Sequence, residues 1–256
     1  MNILEQIAEM TKERVARDKK TGLPAAPTRR REPFAFEKNL RGEDISFICE
    51  VKKASPSKGV ITQSFPYLEI AREYEAAGAA AISVLTEPDY FQGLDSYLTE
   101  ISECADIPVL RKDFTVDPFQ IEQAAVLGAD AILLICAILT SAQLAEYIKE
   151  AERLGLSCLV EAHNEAELKM ALRAGARVVG VNNRNLKTFE IDMKNSIRLR
   201  KLVPRDIIFI SESGIQTPED VSLLKQNGID AVLIGETLMR SPDKKAALFE
   251  LRGKIS

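Results

Sequence analysis

Short apolar runs recur along the chain from residue 45 onward, at about 45–50, 80–85, 107–112, 131–136, 157–161, 178–182, 207–211 and 231–234. Each has the length and bounding residues of a buried strand. Polar stretches of helical period, rich in Ala, Glu, Lys and Leu, lie between them. Examples are Tyr67 to Ala77, Pro118 to Leu127, Ser141 to Leu154, Glu165 to Ala174 and Pro218 to Gln226. Eight strands, each followed by a helix, predict a parallel sheet with crossover connections. A weak internal repeat supports this. Gly78-Ala79-Ala80-Ala81-Ile82, Gly128-Ala129-Asp130-Ala131-Ile132, Gly175-Ala176-Arg177-Val178-Val179 and Gly228-Ile229-Asp230-Ala231-Val232 share one pattern. Each Gly ends a helix and a strand follows within two or three residues. Such units build either an open doubly wound sheet or a closed (β/α)₈ barrel. Eight regular units and no second domain favour the barrel. No Gly-x-Gly-x-x-Gly turn follows the first strand, which argues against a dinucleotide fold.

Ahead of the repeat, Ile3, Leu4, Ile7, Met10 and Val15 fall at helical spacing among charged residues. They predict an amphipathic helix over 3–19 that stops at Gly22. Leu23-Pro24-Ala25-Ala26-Pro27 reads as an extended connector, and Phe34, Phe36 and Leu40 as anchors of a second short helix. The expected organisation is one barrel domain over 1–256, with residues 1–44 as a helical extension.

Composition narrows the function classes. The net charge of −4 is mild, so no nucleic-acid or membrane partner is expected. Arg29-Arg30-Arg31 is short and reads as a solvated face. No apolar run nears the roughly 20 residues of a membrane span, and the N-terminus lacks a signal-peptide pattern. The four cysteines are scattered and read as free thiols of a reducing compartment. The chain is therefore expected to be cytoplasmic. His163 is the only histidine, which excludes a multi-histidine metal site. No other metal-ligand spacing is present, so no metal is expected.

The chemistry-bearing residues gather at strand ends. The stretch Phe47 to Gly59 carries Glu50 and Lys52 at the end of the first strand, followed by a Ser-Pro-Ser-Lys-Gly loop. Taken alone it reads equally as a strand-end ion pair or as part of a site. The other strands decide between these. Side chains alternate along a strand, so Leu110 and Lys112 share a face, as do Leu159 and Glu161, and Ile210 and Glu212. In a barrel, the mouth then holds Glu50, Lys52, Lys112, Glu161, Asn182, Arg184 and Glu212. Burying that many charges for stability alone is unfavourable, so the pattern points to a functional pocket. Crowded Lys and Glu side chains suit acid–base chemistry. His163 lies two residues beyond Glu161 and reads as a polar loop histidine. The loops after strands seven and eight, Ser211 to Ile215 and Ile234 to Leu238, offer glycines and N–H groups to a phosphate. Lys52 and Ser55 neighbour them in a closed barrel.

These residues also carry a resemblance. Glu50-Val51-Lys52-Lys53-Ala54-Ser55-Pro56-Ser57-Lys58-Gly59, Leu110-Arg111-Lys112-Asp113-Phe114, Leu159-Val160-Glu161, Val181-Asn182-Asn183-Arg184-Asn185-Leu186 and Ser211-Glu212-Ser213-Gly214-Ile215 resemble the indole-3-glycerol phosphate synthase family. The likeness runs from the N-terminal helix to residue 240. It implies a cofactor-free carboxy-lyase of tryptophan biosynthesis. Its substrate would be 1-(2-carboxyphenylamino)-1-deoxyribulose 5-phosphate, and its products indole-3-glycerol phosphate, CO₂ and water. It also implies roles. Lys112 would be the general acid and Glu161 the general base or acid of dehydration. Lys52 would hold an anionic group of the substrate and share in proton transfer. Glu50 would position Lys112, Asn182 would orient the substrate, and Arg184 and Glu212 would line the site. Ser55, Ser213, Gly214, Gly235 and Glu236 would bind phosphate. Phe91, Phe114, Leu133, Leu186 and Leu233 would wall the aromatic ring. The extension would partly cover the mouth, and its removal would raise the Michaelis constant before it unfolds the barrel. The working expectation for assembly is a monomer. Two rivals stand beside this reading: a Schiff-base aldolase barrel using Lys52 or Lys112, and a non-catalytic barrel that binds a phospho-ligand.

Overall fold

The computed structural model describes residues 2–23, 31–185 and 188–253. Leu186 and the Arg29-Arg30 pair lie outside the described residues, as does most of the proline-containing connector. Eight parallel strands close into a barrel: β1 (Ser46–Val51), β2 (Ala81–Leu85), β3 (Val109–Lys112), β4 (Ala131–Ile135), β5 (Ser157–Ala162), β6 (Val178–Asn182), β7 (Ile208–Glu212) and β8 (Ala231–Ile234). Neighbours follow chain order, and β1 closes the ring by pairing with both β8 and β2.

Strand alternation sorts the apolar side chains into two layers. Ile48, Leu110, Leu133, Leu159, Ile210 and Leu233 point inward and fill the barrel. Phe47, Ile82, Ile132, Val160, Phe209 and Val232 point outward against helix residues such as Ile70, Leu98, Leu144 and Leu224. Fully burying one such side chain contributes roughly 1.5–3 kcal/mol, so the two layers hold the mouth rigid.

The internal repeat has a physical cause. Gly78, Gly128, Gly175 and Gly228 all take positive φ, from 74° to 90°. At each, the Gly N–H bonds back three residues and the following N–H bonds back five, as from Ala79 to the Tyr74 carbonyl. This is the Schellman ending of a helix, and it needs a residue that tolerates the left-handed region.

The extension serves both ends of the barrel. Helix α1 (Ile3–Thr21) starts with a capping box between Asn2 and Glu5 and stops at Gly22. It lies at the C-terminal mouth, where Arg14 forms two 2.8 Å hydrogen bonds to Asp113. Helix α2 (Ala35–Leu40) sits at the opposite end. Asn39 donates to the Ala80 carbonyl, and the Phe34 N–H donates to that of Gly155. Its Phe36 and Leu40 are fully buried within the inward-facing cluster. The mouth cover is therefore α1, while α2 plugs the far end.

Expected element boundaries differ from the observed ones by one or two residues. The loop after β1 holds a small antiparallel pair, Ala54–Ser55 with Gly59–Val60. Two-residue strands are too short for alternation to reveal. Cys49, Cys136 and Cys158 are buried free thiols, and Cys104 is partly exposed. Among the described residues no helix is long and apolar enough to cross a membrane.

Candidate active site

A cavity of about 460 Å³ opens at the C-terminal ends of the strands. That is a common size for a small-molecule site. Glu50, Lys52, Ser55, Phe91, Lys112, Phe114, Leu133, Glu161, Asn182, Arg184, Glu212, Ser213, Gly214, Leu233, Gly235 and Glu236 all line it. Leu186 is the one proposed residue that the described structure does not include.

The charged centre sits at the floor. Lys112 Nζ lies 3.6 Å from Glu161 Oε2 and 3.6 Å from Glu212 Oε2. Their side chains are 14%, 5% and 3% exposed, so bulk water screens them little. Asn182 Nδ2 lies 3.5 Å from Glu161 Oε1, and its Oδ1 accepts the Arg184 N–H. Glu50 and Lys52 form a second pair, with Nζ 2.5 Å from Oε2. Glu50 was expected to position Lys112; its carboxylate pairs with Lys52 and also adds to the negative field on Lys112. The sequence makes room for these groups with two glycines. A Cβ at Gly180 would meet the Glu212 carboxylate, and one at Gly235 would meet Glu50 and Lys52.

Environment drives the two central carboxyls apart. Burial raises both. For Glu161, Lys112 and His163 outweigh it and hold the group well below the usual carboxylate range. For Glu212, burial wins over Lys112, with Glu161 and Glu50 adding repulsion, and the group is raised to about 8. Among the described residues its Oε1 has no hydrogen-bond partner. Burial works against the charge on Lys112, but Glu212, Glu161 and Glu50 prevail and it remains an ammonium. A cavity with one ionised carboxylate, one protonated carboxyl and one ammonium can both give and take protons.

The rest of the cavity has a polar end built by loops and an apolar end. In the loop after β7, Ser213 (φ 68°) and Gly214 (φ 90°) are both left-handed, which turns the backbone sharply. Asn183 Nδ2 fixes that turn by donating to the Ser213 carbonyl. Thr237 Oγ1 donates to the Ile215 carbonyl and ties this loop to the one after β8. Glu236 adds a carboxylate to the loop-built end, where it faces Arg240, Lys58 and Arg184 at 3.0, 3.7 and 3.9 Å. At the other end Phe91 and Phe114 stand 6.4 Å apart between ring centroids. Glu87 accepts the N–H groups of Asp89, Tyr90 and Phe91 and shapes the loop that presents Phe91.

The structure adds residues that sequence reasoning missed. Ile3, Leu4 and Ile7 of α1 also line the cavity. The extension was expected to cover part of the mouth, but its apolar stripe did not say which of its residues would line the cavity. His163 corrects its reading as a polar loop residue. Its Nε2 lies 3.2 Å from Glu161 Oε1, and its Nδ1 lies 2.9 Å from Glu167 Oε2. Its two-residue offset from Glu161 was the available signal.

Comparison with known proteins agrees with this geometry. A family model described as indole-3-glycerol phosphate synthase matches residues 2–251. An indole-3-glycerol phosphate synthase of Ruminiclostridium cellulolyticum is 60% identical over 98% of this chain and 99% of its own length. One from Endomicrobium trichonymphae is 54% identical, again over 98% and 99%. Among solved structures, a 3-hexulose-6-phosphate synthase superposes with a TM-score of 0.67 at 16% identity, covering 83% of this chain and all of the other. That last likeness concerns the barrel fold alone.

Proposed function

The chain belongs to the indole-3-glycerol phosphate synthase family, and on that premise we propose how its mouth carries out the ring closure. The enzyme is a carboxy-lyase of tryptophan biosynthesis. It converts 1-(2-carboxyphenylamino)-1-deoxyribulose 5-phosphate to indole-3-glycerol phosphate with loss of CO₂ and water.

In our reading the phosphate meets the Ser213, Gly214 and Gly235 backbone together with Ser55. The aromatic ring packs between Phe91, Phe114, Leu133 and Leu233, in the room Leu186 would also flank. Lys112 donates a proton to the ketone oxygen as the ring carbon attacks, so the new C–C bond forms without a free alkoxide. Lys52 holds the carboxylate, which leaves as CO₂ and returns its electron pair to the ring. In the dehydration Glu161 accepts a proton from the methylene carbon beside the nitrogen, and Lys52 gives one to the departing hydroxyl, which leaves as water. Glu212, protonated near neutral pH, holds Lys112 in place without a second full negative charge. Asn182 orients Glu161 and the substrate, and Glu50 orients Lys52. No step asks for a metal or redox cofactor. The same reading takes the protein as a cytoplasmic monomer that needs neither nucleic acid nor membrane. The mild net charge and unpaired cysteines support it.

The observation that carries the proposal is Lys112 held 3.6 Å from each of two carboxyls of opposite protonation tendency. Purified protein should generate indole-3-glycerol phosphate fluorescence from the carboxyphenylamino-deoxyribulose phosphate. Glu161→Gln should lower turnover about 10²-fold or more. Near-normal turnover in that variant would remove Glu161 from its role.

A further inference from the structure

We propose that His163 is a positioning residue, an imidazolium held between Glu161 and Glu167 that keeps Glu161 ionised. Nδ1 hydrogen-bonds Glu167 Oε2 at 2.9 Å, and Nε2 lies 3.2 Å from Glu161 Oε1, an ion-pair contact without hydrogen-bond alignment among the described residues. A neutral imidazole has one N–H and one lone pair, so it would turn that lone pair on one of the two carboxylates. Only the protonated ring presents N–H groups on both sides.

The surroundings fix the ring in this pose. Glu167 Oε2 also accepts the His163 backbone N–H at 2.8 Å, and its Oε1 accepts Asn164 Nδ2 at 2.6 Å. Burial opposes ionisation of Glu167, but these donors and the ring hold it below the usual carboxylate range. From the other side Asn195 Nδ2 donates to the His163 carbonyl at 3.0 Å. The further titratable groups nearby are Lys112 of β3, Glu212 of β7 and the Cys136 thiol, which contacts the Glu167 carbonyl. Burial works against the charge on the ring, but Glu161 and Glu167 overcome it and raise the group to about 10. His163 is not among the residues that line the cavity, so it acts through Glu161 and not on the substrate.

This gives Glu161 two cations, Lys112 on Oε2 and the imidazolium on Oε1, whereas among the described residues Glu212 has only Lys112 within ion-pair distance and feels the imidazolium more weakly. The asymmetry decides which carboxyl of the pair is the ionised one.

The inference rests on the proposed reaction only for its catalytic consequence. His163 is the sole histidine, so its imidazole gives one set of NMR signals. In the full-length wild-type protein both ring nitrogens should stay protonated beyond pH 8. A titration midpoint between 6 and 7 would overturn the proposal. In His163→Gln the side-chain ¹³C titration of Glu161 should move up by about one pH unit or more, with thermal unfolding followed to verify the fold. Glu167→Gln is the second variant, and it should lower the histidine midpoint and raise that of Glu161. A Glu161 midpoint unchanged in the folded variants would overturn the proposal as well. If Glu161 titration moves but the acid limb of kcat/KM does not, His163 keeps its positioning role and it is Glu161 that loses its place as proton acceptor.

Discussion

At the residue scale, the centre of the site is a contest over which buried group carries charge. Glu212 is held protonated above the usual carboxylate range, so between its ordinary value of 4.5 and about 8 the folded protein binds a proton that the unfolded chain releases. The sign follows: this group makes stability fall as pH rises through that window. Glu212→Gln removes the titration. The variant should therefore gain stability relative to wild type from pH 5 to pH 8, as measured by denaturant unfolding at each pH. A constant difference across the window would show that Glu212 titrates normally. The Schiff-base rival also belongs at this scale. Its lysine must be unprotonated to attack, whereas the ionised Glu161 beside Lys112, with Glu50 adding to the negative field, favours the ammonium. Borohydride with a phosphosugar should therefore trap no adduct on Lys112. The inward set Glu50, Lys112, Glu161 and Glu212 was legible because strand alternation fixes which residues face the mouth. The role of His163 was not. It depends on a loop turning the ring between a strand end and the first turn of the next helix, and no periodicity encodes that.

At the element scale, the two helices of the extension separate in function. Phe36 and Leu40 of α2 are buried among inward-facing barrel residues, so removing α2 would open the core. The expectation that loss of the whole extension spares the barrel is therefore narrowed to α1. Deletion of residues 1–22 removes Ile3, Leu4 and Ile7 from the cavity wall and the Arg14–Asp113 bridge from its rim. It should raise KM several-fold, and kcat less, in a protein that still unfolds cooperatively. An unchanged KM would deny α1 its part in the site. The sequence showed both helices through their apolar spacing. It did not show which end of the barrel each would meet, because that depends on how the connector between them runs.

At the scale of the whole molecule, one principle connects fold and site. The barrel aligns the C-terminal ends of eight strands around one mouth, so charges far apart in the chain converge where no single segment would hold them. The rigid apolar layers beneath offset the cost of that convergence. Leu110→Ala, under Lys112, should lower stability by about 2–5 kcal/mol through the cavity it leaves, read from denaturant midpoints. A loss of under about 1 kcal/mol would mean that the inner layer is looser than its burial indicates. The measurement closest to the central claim is product formation by Lys112→Ala in single-turnover fluorescence. The chemical step should be slowed about 10²-fold or more with substrate still bound. A chemical step at the wild-type rate would contradict the claim.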